Sequence, residues 1–294
     1  MLNFFWRIFG RFPNRLAQSA LYRSGVLTKP KNLEYTITWE GLIYNGSLRF
    51  LIDRYIYYAG GYSMHEIDFL RQASDVIRLI KGSVLMLDIG ANVGQHSLAL
   101  HSNVDRIIAF EPNPATAARL RLNIEKNAIK NIELHEVALG NSDEIAMLGS
   151  GLEGNDGSRS LNWSIEQSSD IRVQVKAAGR YLDELILGDT SVDLLKIDVE
   201  GHEAKVLSSL SDRFARDRPI ILFELVGKEV KGGFASEAQL RSTLYSNHRL
   251  YGLDRGRSVS LSGFDWLRHE EAICIPAELA SQIEDAFMHR ALNS

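Results

Sequence analysis

The stretch LMLDIGANVGQHSL, residues Leu85 to Leu98, joins a short apolar run to an acid, two glycines and the opening of a helical pattern. A strand that ends in Asp88 and turns through Gly90 and Gly94 into a helix lets the backbone pass close to a ligand at the helix N-terminus. The turn departs from the dinucleotide fingerprint G-x-G-x-x-G, because position 92 is Asn and position 95 is Gln. It is therefore poorly suited to a pyrophosphate, and the neighbouring acids favour a cationic ligand.

Outward from this unit the pattern repeats. Short apolar runs (VLMLDI, RIIAFE, IELHEVAL, DLLKIDV, IILFEL, LYGLD and AICIPA) alternate with the helical stretches NPATAARLRLNIEKNA, EAKVLSSLSDRF and SEAQLRSTLYS. That alternation predicts a parallel sheet with helices on both faces. In such a sheet ligands bind beyond the carboxyl ends of the strands, so the residues that end strands are the ones to inspect. The second run ends at Glu111, 21 residues after Gly90 and followed by Pro112, Asn113 and Pro114. This is near the spacing at which a second-strand acid reaches a ribose diol, and it points to an adenosine-containing ligand.

The stretch DLLKIDVEGHEAKVL carries a second concentration of charge. Strand periodicity predicts Lys196, Asp198 and Glu200 on one side, with Glu224 closing the adjacent run about 5 Å away. Converging carboxylates can shape the surroundings of a cation, act as a base toward a hydroxyl, or bind a divalent metal through oxygen. The residues alone leave these three open and assign no metal ligand. His202, just beyond the carboxylate strand, is the best-placed histidine for a base, since its ordinary pKa suits proton transfer.

Composition narrows the function classes. The chain has 294 residues, 45% apolar and 24% charged, with a net charge of -4 and no biased tract, so it is an ordinary folding chain of globular type. Its 33 basic residues are scattered, which argues against a nucleic-acid partner. The lone Cys274, in an apolar setting, predicts core packing and fits a reducing, cytoplasmic compartment.

Residues 1–80 differ from the rest. The N-terminal MLNFFWRIFGRFPNRL places Phe4, Phe5, Ile8, Phe9 and Phe12 at helical spacing opposite Arg7, Arg11 and Arg15. That is the pattern of a helix docked on protein or one giving weak contact at the inner membrane surface, and it is too short and charged to span. LEYTITWEGLIYNGSLRF then predicts a hairpin turning at Asn45-Gly46, and SMHEIDFLRQASDVIRLIKG a helix stopped by Gly82. From Asn141 to Arg180 a Gly- and Ser-rich insertion, followed by the β-like run IRVQVKAA, interrupts the alternation and predicts a loop covering a site.

The set D-I-G-A-N-V-G, F-E-P-N, V-A-L-G, K-I-D-V-E-G-H-E and P-I-I-L-F-E, running in order from about Tyr62 to Leu225, resembles the FkbM family of S-adenosylmethionine-dependent methyltransferases. The resemblance implies an α/β class I methyltransferase fold, a Rossmann-like, doubly wound and mostly parallel seven-stranded sheet. Residues 1–80 would form a helical and hairpin cap, and residues 81–294 the methyltransferase domain. It implies O-methylation of a hydroxyl on a small-molecule or glycan acceptor. Asp88, Gly90, Asn92 and Gly94 would surround the methionine part of the cofactor. Glu111 would hold its ribose, Asn113 would border that site, and Val137 and Ala138 would flank adenine. Asp198, Glu224 and His202 are the candidates for the chemistry. The rival readings are a nucleotide-dependent oxidoreductase, disfavoured by Asn92, and a non-catalytic cofactor-binding module, disfavoured by the acidic strand ends.

Overall fold

The computed structural model describes residues 31–149, 171–225, 232–255 and 259–291. The N-terminal arm read above as amphipathic lies outside them. Among the described residues no helix is long and apolar enough to cross a membrane.

The chain opens with a hairpin, β1 (Glu34–Trp39) and β2 (Leu42–Ser47), followed by α1 (Leu51–Ala59) and α2 (Met64–Lys81). The turn lies at Glu40-Gly41, not at Asn45-Gly46 as the sequence suggested. Glu40 and Gly41 both take left-handed conformations (φ 50° and 80°), which a two-residue turn matched to strand twist requires. Tertiary contacts hold Asn45-Gly46 inside β2: a Cβ on Gly46 would lie 2.4 Å from the Tyr35 ring, and the Asn45 N–H donates to Asn123 Oδ1 at 2.8 Å. Gly82 does end α2, in a left-handed conformation with its N–H donated to the Arg78 carbonyl.

The parallel strands β3 (Leu85–Ile89), β4 (Arg106–Phe110), β5 (Ile132–His135), β9 (Leu194–Ile197) and β10 (Ile220–Glu224) join the antiparallel β13 (Glu271–Pro276), β11 (His248–Arg255) and β12 (Val259–Gly263). The order is β12-β11-β13-β10-β9-β3-β4-β5. Seven of these strands are the runs read from the sequence. The eighth, β12, returns along β11 and adds an outer edge. The order reverses between β3 and β9, where a crevice opens at the carboxyl edge.

Alternation along the strands divides the core in two. Leu85, Leu87, Ile89, Leu195, Ile197, Ile221 and Phe223 face one layer with Val206, Leu207 and Phe214. Met86, Ile107, Leu194, Leu222 and Ile273 face the other, with Ile67, Leu70, Ala73 and Ile77 of α2. α3 (Gln95–Leu100) and α4 (Pro114–Lys126) connect β3 to β4 and β4 to β5, while α5 (Glu203–Ser209) and α6 (Ser211–Asp217) lie between β9 and β10. The stretch read as one helix, EAKVLSSLSDRF, is these two, broken at the fully buried Leu210.

Two further readings are corrected. IELHEVAL is not one strand: after β5 the chain leaves the main sheet, and β6 (Ala138–Gly140) pairs with β8 (Ile171–Ala177) in a small sheet completed by β7 (Glu144–Leu148). The 141–180 segment thus has strands at both ends, and 150–170 lie outside the described residues.

The hairpin is fastened to α4 by side chains that imitate a third strand. Asn123 and Asn127, one helical turn apart, accept from the N–H groups of Asn45 and Ile43 at 2.8 Å each and donate to the same residues' carbonyls. Beneath them the fully buried Asp53 accepts from Tyr44 Oη at 2.7 Å, from the Ser47 N–H at 2.6 Å and from Arg119 of α4.

Candidate active site

The β3 turn is built so tightly that its glycines have no substitute. Gly90 has φ 81°, and a Cβ there would stand 1.8 Å from the Asp198 carbonyl oxygen. Gly94 has φ 82°, and a Cβ would meet Leu120 at 2.1 Å. Asn92 also takes φ 52°, which Asn tolerates better than most residues, and its Oδ1 accepts from the Val93 N–H at 2.7 Å.

Glu111 follows β4 and is largely buried. One carboxylate oxygen accepts from the Asn92 N–H at 2.9 Å, the other from the Asn113 N–H at 2.8 Å. Burial pushes its carboxyl up to about 7, against the pull of those two hydrogen bonds. Asn113 caps α4, its Oδ1 accepting from the Ala115 N–H at 3.1 Å, with Pro114 at the first helical position.

Asp88 has no exposed surface. Its Oδ2 accepts from Ser97 Oγ at 2.5 Å, while Oδ1 is buried with no hydrogen-bond partner. Lys196 supplies the nearest positive charge, 3.9 Å from Asp88 Oδ1 and 3.3 Å from Asp198 Oδ2, and donates to the Gly90 carbonyl at 3.1 Å. Burial works against this ammonium, yet Asp198, Asp88, Glu66 and Glu224 outweigh it and hold the lysine above its ordinary range.

β9 ends at Ile197, so the strand periodicity that placed Glu200 beside Asp198 does not reach it. The chain instead turns through Glu200 (φ 53°) and Gly201 (φ 95°). Glu203 clamps this turn, its Oε1 accepting from the N–H groups of Val199 and Gly201 at 3.0 and 3.2 Å. Burial, reinforced by Asp198 and Glu203, raises the Glu200 carboxyl to about 8. Glu224, at the end of β10, is held far above the carboxylate range by burial and by a hydrogen bond to Asp198.

Two cavities meet here. The first is lined by Gly90, Asn92, Glu111, Asn113, Val137 and Ala138, and also by Asp198, Glu200, His202 and Leu148. The second runs beneath the cap between Tyr62, Glu66, His96, Lys196, Asp198 and Glu224. Asn92, Asp198 and Glu200 line both. The geometry thus gathers Gly90, Asn92, Glu111, Asn113, Val137 and Ala138 in the first cavity and Asp198 and Glu224 in the second. Asp88 and Gly94 lie behind the walls as supports.

His202 lines the first cavity and not the second. Burial, with a smaller push from Lys205, lowers it to about 4, so its imidazole is neutral and a weak base. Two residues of the second cavity, Tyr62 and Glu66, were not singled out from sequence, whereas Lys196 was read on the carboxylate face and His96 as the histidine that follows the glycine turn. Glu66 had no legible signal, because its helix reads as an ordinary amphipathic one. In the structure its carboxylate is buried, yet His96, Lys196 and His65 hold it down to about 2.

A mostly parallel sheet with this strand order, an acid at the carboxyl end of each of its first two strands and a carboxylate turn at the switch point give the arrangement of a class I methyltransferase. The "Methyltransferase FkbM domain" family matches residues 88–252, more than half of the chain, and the chain belongs to that family. It is similar to "Methyltransferase 1" of Beauveria bassiana (strain ARSEF 2860), with 26% identity over 69% of this chain and 83% of that one. It is also similar to "Hexuronic acid methyltransferase AglP" of Haloferax volcanii, with 30% identity over 61% of this chain and 74% of that one. Among solved structures, Methyltransferase FkbM from Methylobacillus flagellatus KT aligns with a TM-score of 0.42 and 15% identity over 65% of this chain and 43% of that one.

Proposed function

We propose that this methyltransferase uses S-adenosylmethionine and transfers to a hydroxyl on a glycan or specialised metabolite. The observation that carries the reading is the junction at Asn92, Asp198 and Glu200, where a cavity fit for an adenosine meets one fit for a polar acceptor. The residues suit the cofactor: Gly90 lets the turn pack directly against the Asp198 carbonyl at the cavity wall, and Glu111 is held by two backbone N–H groups with its carboxylate bordering the cavity. When bound, the cofactor supplies an electrophilic methyl on a sulfonium.

In this account Glu111 holds the ribose, Asn113 borders it, and Val137 and Ala138 flank the adenine. The carboxylates Asp198 and Glu200 favour a cationic ligand at the junction. Asp198, fixed between Lys196 and Glu224, accepts a hydrogen bond from the acceptor hydroxyl and orients it. Glu200, whose pKa lies close to neutral, takes the proton. Positioning supplies much of the rate in an in-line displacement. His202 is assigned to the cofactor side, on the evidence of the cavity it lines.

The division proposed is a cap region of residues 1–80 ahead of a methyltransferase domain of residues 81–294, and among the described residues of the cap Leu51, Ile52, Tyr62 and Glu66 wall the acceptor cavity. The relation to a hexuronic acid methyltransferase supports a sugar acceptor. The test is incubation with S-adenosylmethionine carrying a labelled methyl, glycan and lipid extracts, and the Glu200→Gln variant. The reading expects label in an alkali-stable ether and a loss of turnover larger than the loss of cofactor affinity. Label on nitrogen, or none in any extract, would contradict it.

A further inference from the structure

At the wall of the acceptor cavity lies a set of donor atoms that take no part in the proposed methyl transfer. His65 and Glu66 are the second and third residues of α2, and Glu271 is the first residue of β13. Because β13 runs antiparallel to β10, its first residue pairs with Glu224, the last of β10. The sheet therefore delivers Glu271 to the same edge as the carboxyl ends of the parallel strands. His65 Nε2 lies 2.9 Å from Glu271 Oε2 and 3.8 Å from Glu66 Oε1. One donor atom from each of the three residues falls within 4.8 Å of the others.

A second observation is independent of that cluster. His96 is only 7% exposed, and its Nε2 is buried without a hydrogen-bond partner. That nitrogen lies 3.1 Å from Glu66 Oε2, the carboxylate oxygen turned away from His65. That close approach aims a buried imidazole at the carboxylate shared by the cluster and the acceptor cavity.

We propose that His65, Glu66 and Glu271 bind one divalent first-row transition-metal ion at the wall of the acceptor cavity, with His96 supporting Glu66 from behind. One imidazole and two carboxylates form a mixed nitrogen and oxygen set, suited to Mn²⁺ or Zn²⁺ more than to Mg²⁺ or Ca²⁺. Three protein ligands leave positions open for water or a substrate oxygen, as in catalytic sites. Ligating carboxylates are themselves held by outer groups, the place His96 occupies. Through Glu66 the ion borders the acceptor cavity, where a polyhydroxyl acceptor would offer further oxygen ligands; this last role rests on the proposed function.

The test uses the full chain, stripped with chelator and dialysed, then titrated with MnCl₂ by electron paramagnetic resonance and with ZnCl₂ by calorimetry. The expected result is one saturable ion per chain. Glu271→Gln and His65→Ala should each weaken binding at least about tenfold, and His96→Ala about tenfold through its support of Glu66. Circular-dichroism melts identify any variant that fails to fold, and His65→Gln then replaces it. Absence of saturable binding by the wild type, or equal binding by folded Glu271→Gln and His65 variants, overturns the proposal and leaves an ion pair between His65 and Glu271. Cofactor thermal shifts on the same preparation report the methyltransferase reading separately.

Discussion

The Lys196 ammonium lies 3.3 Å from Asp198 Oδ2, and it is the cation around which the acids of the β9 edge are arranged. Asp88 lies on its other side at 3.9 Å. Replacing it by methionine keeps the stem's volume and removes the charge, leaving buried carboxylates without compensation. Lys196→Met should cost about 3 kcal/mol of unfolding free energy at neutral pH, as expected when one partner of a buried pair is lost. Urea denaturation monitored by circular dichroism checks this, and wild-type stability would show that the acids need no counter-charge.

Gly90→Ala tests the turn. The left-handed conformation alone costs an alanine about 1–2 kcal/mol, and here the added Cβ also meets the Asp198 carbonyl at 1.8 Å. Gly82→Ala is the internal control, since it has a similar φ of 83° and nothing within 4 Å. The Gly90 variant should lose at least about 2 kcal/mol more than the Gly82 variant in the same urea series.

The cap depends on its fastening to α4. Arg119→Met leaves the fully buried Asp53 without its counter-charge and should cost about 3 kcal/mol. Asn123→Ala should cost about 1–2 kcal/mol through lost hydrogen bonds to Asn45. Limited proteolysis in the hairpin should quicken in both variants while the main sheet stays protected.

The raised pKa of Glu111 gives two linked pH effects. Its folded value of about 7 lies above its ordinary value of 4.5. Through that window the folded chain keeps a proton that the unfolded chain has lost, so this group's contribution makes stability fall as pH rises. The unfolding free energy of the wild type minus that of Glu111→Gln should therefore decline between about pH 5 and pH 7, then level off. Accepting hydrogen bonds from a diol needs the carboxylate, so cofactor affinity should fall as pH drops below about 7, and the Gln variant should lose that dependence. Calorimetry across the range measures both.

Much of this was legible in local pattern. The strands that form the sheet centre are short apolar runs ended by acids, and Asp88, Gly90, Glu111 and Asp198 sit at the switch point because strand ends can be counted along a chain. What was not legible depends on contacts between distant segments. The hairpin turn moved to Glu40-Gly41 because Tyr35 and Asn123 hold Asn45-Gly46 in β2. Glu66 and Tyr62 join the acceptor cavity only because α2 and the turn before it pack over the sheet edge. His202 looked like a base by position alone, and its burial beside the first cavity lowers it to about 4.

The central claim is that the first cavity takes an adenosine through Glu111, and isothermal calorimetry with S-adenosylmethionine, S-adenosylhomocysteine and NAD tests it most directly. The account predicts that the wild type binds both adenosyl compounds and not NAD. It predicts that folded Glu111→Ala binds S-adenosylhomocysteine about 10- to 100-fold more weakly, the loss of charge-assisted hydrogen bonds of about 1.5–3 kcal/mol. Binding of NAD alone, or wild-type affinity in the variant, would contradict it.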